Sequence, residues 1–260
     1  AVLSGDMSNV TQSSKLRALG VGVGAGLAGI LVSLVLVLMV VSGIQLLGVQ
    51  LSAVATIVLM LFVNQYLSFG GVALGYLQYR GLSLDYIGVR VPSLRDLLVA
   101  FGGYLAAFGL VTVAGVVIQA LDTPTAQNTT AQMAQETPEI LFVLIPASFL
   151  IIGPGEEILF RGIVQRRLRE AFSPVPAILI SATLFAAIHY LALSGPSLAR
   201  INTIAILFFP SLVFGAAYEY TDNIVVPSLI HGAYNATLFS LLYVVITYGP
   251  SLEQPAAVLF

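Results

Sequence analysis

Between Arg17 and Arg80 the chain runs for 62 residues without an Asp, Glu, Lys or Arg. Nothing constrains the fold more. A helix rises about 1.5 Å per residue, so roughly 20 apolar residues cross a hydrocarbon core about 30 Å thick. The run therefore holds two spanning helices, near 19–41 and 52–79, with a turn around Ser42–Gln50. Further charge-free runs follow at Leu97–Leu121, Ile140–Gly155, Ala171–Ala199, Ile201–Tyr218 and Asn223–Leu252. Together they predict an all-α fold, a polytopic integral membrane helical bundle of about seven transmembrane helices, with six to eight compatible with the runs. Barrel strands are excluded, because the runs are too long and too uniformly apolar to alternate.

Composition agrees. Charged residues make up 8% of the chain and hydrophobic ones 58%, whereas a soluble domain carries about 25% charge. A soluble enzyme, a disordered protein and a nucleic-acid binder are excluded, the last also by a net charge of −2. The chain has no cysteine, hence no disulfide, thiolate nucleophile or thiolate metal site. Any catalysis must use carboxylates, the two histidines, hydroxyls or amides.

Residues 1–18 are expected to be a flexible tail, with 1–6 an expression remnant ahead of a native start at Met7, and residues 19–260 a single transmembrane domain. Lys15, Arg17, Arg80, Arg90, Arg95, Arg166, Arg167 and Arg169 fall on one side of this topology. By the excess of basic residues in cytoplasmic loops, that side and the N-terminus are cytoplasmic and, with seven spans, the C-terminus is external. The polar loop Leu121–Pro138 then lies on the outer face. A multi-pass location in the plasma membrane is expected, with the lipid bilayer as the protein's surroundings.

A charge at a helix centre costs at least about 2.5–3.5 kcal/mol on insertion scales, so ionisable residues inside apolar runs mark function by default. Three places qualify. Gly153-Pro154-Gly155-Glu156-Glu157 leads to Arg161. Glu157 and Arg161, four apart, meet on one helix face. Glu156, rotated by about 100°, has no local partner and is suited to proton transfer. Pro154 is expected to kink the helix and loosen its backbone bonds. The second place is Phe185-Ala186-Ala187-Ile188-His189 and the third His231-Gly232-Ala233-Tyr234-Asn235, where His231 and Asn235 share a face. Each alone has a structural explanation: hydrated span-end carboxylates, a satisfied core histidine, an interhelical clasp. Together they offer hydrolytic chemistry: a carboxylate that takes a proton from water, imidazoles that hold it, and an amide for an oxyanion.

In this order on successive helices, an EExxxR box, an FxxxH box and an HxxxN box resemble the CPBP family (CAAX protease and bacteriocin-processing, or Abi) of intramembrane proteases. That family includes the Rce1-type enzymes. The segment Asp85-Tyr86-Ile87-Gly88-Val89-Arg90 with Pro92 is similar to the cytoplasmic linker of its prokaryotic members. The resemblance implies a protease core at about 138–247 and an active site toward the cytoplasmic side. By it, Glu156 is the general base, His189 helps position the water, and His231 and Asn235 stabilise the oxyanion. Glu157 and Arg161 hold the site's shape, and Phe185 packs beside it. The implied substrate is a peptide or protein at the membrane, C-terminal or membrane-proximal, with or without a prenyl group. Oligomeric state is not readable. Whether the water is activated by glutamate alone or by a divalent metal such as zinc stays open. Glu156, His189 and His231 are the candidate ligands, with no HExxH box and no assigned partners for the imidazoles.

Rhomboid-like serine chemistry fits poorly, since Ala192-Leu193-Ser194-Gly195 reads as a turn. A presenilin-like aspartate pair is missing, because Asp85, Asp96, Asp122 and Asp222 sit in loops or at span ends. Two non-catalytic readings remain, a scaffold or immunity protein of the same fold and a small proton-coupled transporter. One geometric tension also stands. Counted inward from Pro138, Glu156 lies about 27 Å along its helix, and His189 counted from Ser173 about 24 Å, which is too deep for a shared site unless Ala171–Pro176 lies in the headgroup layer.

Overall fold

The computed structural model describes residues 2–249, with side chains from Gln12 onward. Residue 1 and residues 250–260 lie outside it, and with them the expectation for the C-terminus and part of that for residues 1–6.

Seven helices among the described residues are long and apolar enough to cross a membrane. In chain order the elements are α1 (Val2–Leu46), α2 (Ala53–Arg80), α3 (Leu94–Ala120), β1 (Gln127–Asn128), the short α4 (Thr129–Glu136), α5 (Pro138–Arg169), α6 (Pro174–Ala192), β2 (Leu193–Ser194), α7 (Ser197–Thr221) and α8 (Val225–Tyr248). The expectation of an all-α polytopic membrane bundle holds. Residues 2–18 are part of α1, and Ala18 is buried, so a polar start has been carried into a helix by the apolar run behind it.

Of the seven spans α5 is the most deeply packed, with 44% of its apolar window buried against 6% for α1. It is the central helix, flanked by α1, α2, α6 and α8, while α1 lies at the periphery. It also runs further than its charge-free stretch suggests, so Glu156, Glu157 and Arg161 lie well inside the helix and not at its end. Pro146 and Pro154 do not break it. The turn Gly153–Glu157 is α-helical, and the flanking stretches Ser148–Ile152 and Ile158–Gln165 widen to π-helix, which absorbs the missing backbone donors.

One end of the bundle is rich in arginine. There Arg166 pairs with Asp222, Arg169 with Glu219 at 2.8 Å, and Arg167 and Arg80 with Glu170. The segment between α2 and α3 is docked onto this end. Gly81, at φ +64°, closes α2, and Ser93 with Asp96 forms a capping box that starts α3. Ile87 is inserted against Gly162 and Ile163 of α5. The Gly88 carbonyl accepts from Ile224 N at 3.1 Å, and Arg90 donates to the carbonyls of Thr221 and Asp222. At the opposite end β1 pairs antiparallel with β2, tying the loop before α4 to the turn after α6.

Gly88 combines φ +70° with a position where a Cβ would sit 2.2 Å from the Asp222 carbonyl oxygen. Gly81 has a similar φ but open space around it. Gly88→Val is therefore expected to lower stability by about 2 kcal/mol or more, and Gly81→Ala by about 1 kcal/mol. Thermal unfolding of the two purified variants checks this; equal losses would show that the backbone contact at Gly88 carries no weight.

Candidate active site

Two glycines bring the carboxylates to the imidazole. A Cβ on Gly153 would lie 2.7 Å from the Ser228 carbonyl oxygen, and one on Gly232 would lie 2.9 Å from both the Cα of Phe149 and the Ser148 carbonyl oxygen. The backbones of α5 and α8 thus touch where the first and third boxes cross, as small residues allow in membrane bundles. One turn along, His231 enters between the two carboxylates. Its Nδ1 lies 2.8 Å from Glu157 Oε1 and its Nε2 lies 3.8 Å from Glu156 Oε2.

Glu157 is fully buried and joined to Arg161 as expected, with Nε–Oε2 at 3.1 Å and Nη1–Oε1 at 3.2 Å. Arg161 is itself fully buried. Its Nη2 donates to Ser211 O at 2.9 Å and Ser211 Oγ at 2.7 Å, and its guanidinium lies over the Phe185 ring at 4.5 Å. A charge pair this deep is tolerated because nearly every donor has a partner. Phe214 of α7 stacks on the His231 ring, with centroids 4.8 Å apart and an interplanar angle of 17°.

Glu156 departs from expectation. It is not partnerless: Gln65 of α2 donates from Nε2 to Glu156 Oε1 at 3.0 Å. Its Oε2 makes no hydrogen bond and faces His231. Asn235, one turn beyond His231, is half-buried and makes no hydrogen bond among the described residues, which leaves its amide free to donate.

His189 is half-buried at the end of the regular part of α6, where a 3-10 turn (His189–Ala192) begins. Its Nδ1 bonds the Phe185 carbonyl at 2.8 Å. The Phe185 ring packs beside the site as expected, 4.8 Å from His189 and 5.7 Å from His231 between ring centroids. The two histidines therefore flank one aromatic ring and do not touch Glu156 together.

The depth tension disappears when both helices are counted from the same end. Ser181 Oγ of α6 donates to Phe160 O of α5, which sets their register. From the arginine-rich ends, Arg169 and Pro174, Glu156 lies about 20 Å along α5 and His189 about 22 Å along α6. The count from Pro138 failed because α5, at 32 residues, is longer than the hydrocarbon requires.

Both imidazoles have their tautomers set. A carbonyl or carboxylate oxygen accepts, so Nδ1 of His189 and of neutral His231 carries the proton, and each Nε2 keeps a lone pair. No three His, Asp or Glu side chains among the described residues are grouped to hold a metal ion, Glu156, His189 and His231 included. Three contributors escaped the sequence: Gln65, Ser211 and Phe214. Gln65 was detectable only as one of a few amides in an apolar run, beside Asn64, while Ser211 and Phe214 carry no signal there.

A buried carboxylate facing an imidazole, within a membrane bundle, narrows the family. Residues 138–237 match the Rce1-like family, described as type II CAAX prenyl endopeptidase Rce1-like. The Rce1-like segment takes in all three boxes, from Glu156 to Asn235, and agrees with the resemblance read from them. It supports a CAAX-protease-like intramembrane peptidase in general. No curated protein and no solved structure matches the chain.

Removing Arg161 leaves the Glu157 carboxylate buried without its counter-charge. Arg161→Met is expected to cost about 3–5 kcal/mol, and Ser211→Ala about 1–2 kcal/mol. Thermal unfolding of the purified variants tests the order, and a smaller loss for Arg161→Met than for Ser211→Ala would contradict it.

Proposed function

We propose that the chain is an intramembrane endopeptidase that hydrolyses a peptide bond with water activated by Glu156 and His231. The 3.8 Å separation of Glu156 Oε2 and His231 Nε2 carries this reading. Both atoms are acceptors. They are too far apart to bond each other and near enough to hold the two protons of one water. A water held this way directs a lone pair outward, at a carbonyl carbon.

Attack forms the C–O bond while Glu156 takes the water's proton. Glu157, bonded to Nδ1, orients His231 so that Nε2 faces the water. The carbonyl oxygen gains the negative charge, and the Asn235 amide donates to it. When the C–N bond breaks, Glu156 returns the proton to the departing amine. His189, with Nε2 left bare by its bond to Phe185, is a further acceptor for the water network. No step is routed through a metal.

The substrate on this reading is a membrane-associated or C-terminal peptide, prenylated or not. It approaches from the arginine-rich end, which the distribution of basic residues makes cytoplasmic. The plasma membrane is the proposed location.

The test is cleavage of a prenylated CAAX peptide by the purified protein. Glu156→Gln should abolish cleavage and keep the thermal unfolding profile, because an amide cannot accept the proton. Cleavage unchanged in this variant would sink the proposal. Asn235→Ala should slow turnover by about 10²-fold, the usual loss for one oxyanion donor. An effect on stability alone would make Asn235 a packing clasp. Metal analysis before and after chelator accompanies the assay, and metal-free protein should keep its activity.

A further inference from the structure

We infer that Gln65 is a positioning residue for the proposed general base, holding the Glu156 carboxylate so that Oε2 is the oxygen that works. This rests on the function proposed above. It extends the site to α2, a helix outside the matched segment 138–237.

Gln65 sits in the 62-residue run without charges. A primary amide there must find partners, since nothing in hydrocarbon can satisfy it. The structure buries it, with 6% of its surface exposed, and points Nε2 at Glu156 Oε1 at 3.0 Å. A carboxylate oxygen only accepts, so the orientation of this amide is determined. Gln65 lies in a π-helical stretch, Phe62–Gly70, and such widened turns re-aim side chains at functional sites.

The approach of α2 depends on the residue just before the base. A Cβ on Gly155 would lie 2.7 Å from Gln65 Cβ, 2.8 Å from its Oε1 and 3.1 Å from its Cα. No side chain fits between α2 and α5 at this point. Gly155 therefore belongs to the same device: it admits the helix whose amide holds Glu156.

The terminal torsion of a glutamate is broad and roughly two-fold, so an unheld carboxylate exchanges its oxygens freely. Gln65 breaks that equivalence. Oε1 is occupied, and Oε2 is left toward His231.

The experiment uses the full chain and a prenylated CAAX peptide, with wild type, Gln65→Met, Gly155→Ala and Glu156→Gln assayed side by side. Met matches Gln in size and cannot donate. Gln65→Met should lower kcat about 10- to 100-fold with KM unchanged, the loss expected for a hydrogen bond to a charged group. Gly155→Ala, which keeps the amide and displaces it, should lower kcat in the same way. Wild-type kcat in Gln65→Met overturns the inference. Should the wild type fail to cleave, or Glu156→Gln cleave normally, the proposed activity falls instead. The positioning claim is then read without substrate, from the Glu156 carboxylate stretch in infrared difference spectra against Glu156→Gln. That band should shift in Gln65→Met, and an unmoved band overturns the inference.

Discussion

The buried ion pair between Glu157 and Arg161 organises the bundle around it. Two full charges with no exposed surface are stable in a low-dielectric interior only if their hydrogen bonds are met from several directions. The partners come from different helices. Glu157 and Arg161 lie on α5, Ser211 on α7, His231 on α8, and the Phe185 ring on α6 lies against the guanidinium. Four helices thus converge on one point, and their mutual placement follows from satisfying it. The pair also acts on His231, since the carboxylate that neutralises Arg161 accepts the imidazole's Nδ1–H.

Close helix contact is the second condition. Gly153 and Gly232 remove the side chains that would hold α5 and α8 apart, and Gly155 does the same for α2. Gly155 adjoins Glu156, Gly232 adjoins His231, and Gly153 lies three residues before Glu156. A side chain as short as Glu reaches a partner on another helix only if the backbones nearly touch. The widening of α5 to π-helix on both sides of this stretch places its side chains at angles that a regular helix would not offer.

The boxes were legible in sequence because charge is scarce in hydrocarbon and each ionisable residue in an apolar run stands out. The helix count and the pairing of Glu157 with Arg161 came from the same scarcity. Depth was not legible, since a charge-free run gives the least length of a helix and not its ends, and α5 continues to Arg169. Nor were the uncharged partners of the site. Gln65, Ser211 and Phe214 carry no charge and no periodicity that separates them from ordinary span residues. Their roles depend on which helix lies opposite.

What the sequence alone determined is the class of the molecule and the helices that hold its chemistry. The cost of charge in a bilayer and the spacing of residues four apart on a helix require no knowledge of neighbours. Spacing on the helix already set Glu157 apart as the partner of Arg161, and tertiary structure alone decided what else meets each carboxylate. Glu156 and Glu157 are adjacent and chemically identical. The first is met by a neutral amide from α2, and the second by Arg161 and by Nδ1 of His231. The partners from other helices, Gln65 on one carboxylate and His231 on the other, depend on which helices pack together, and only the folded bundle supplies that.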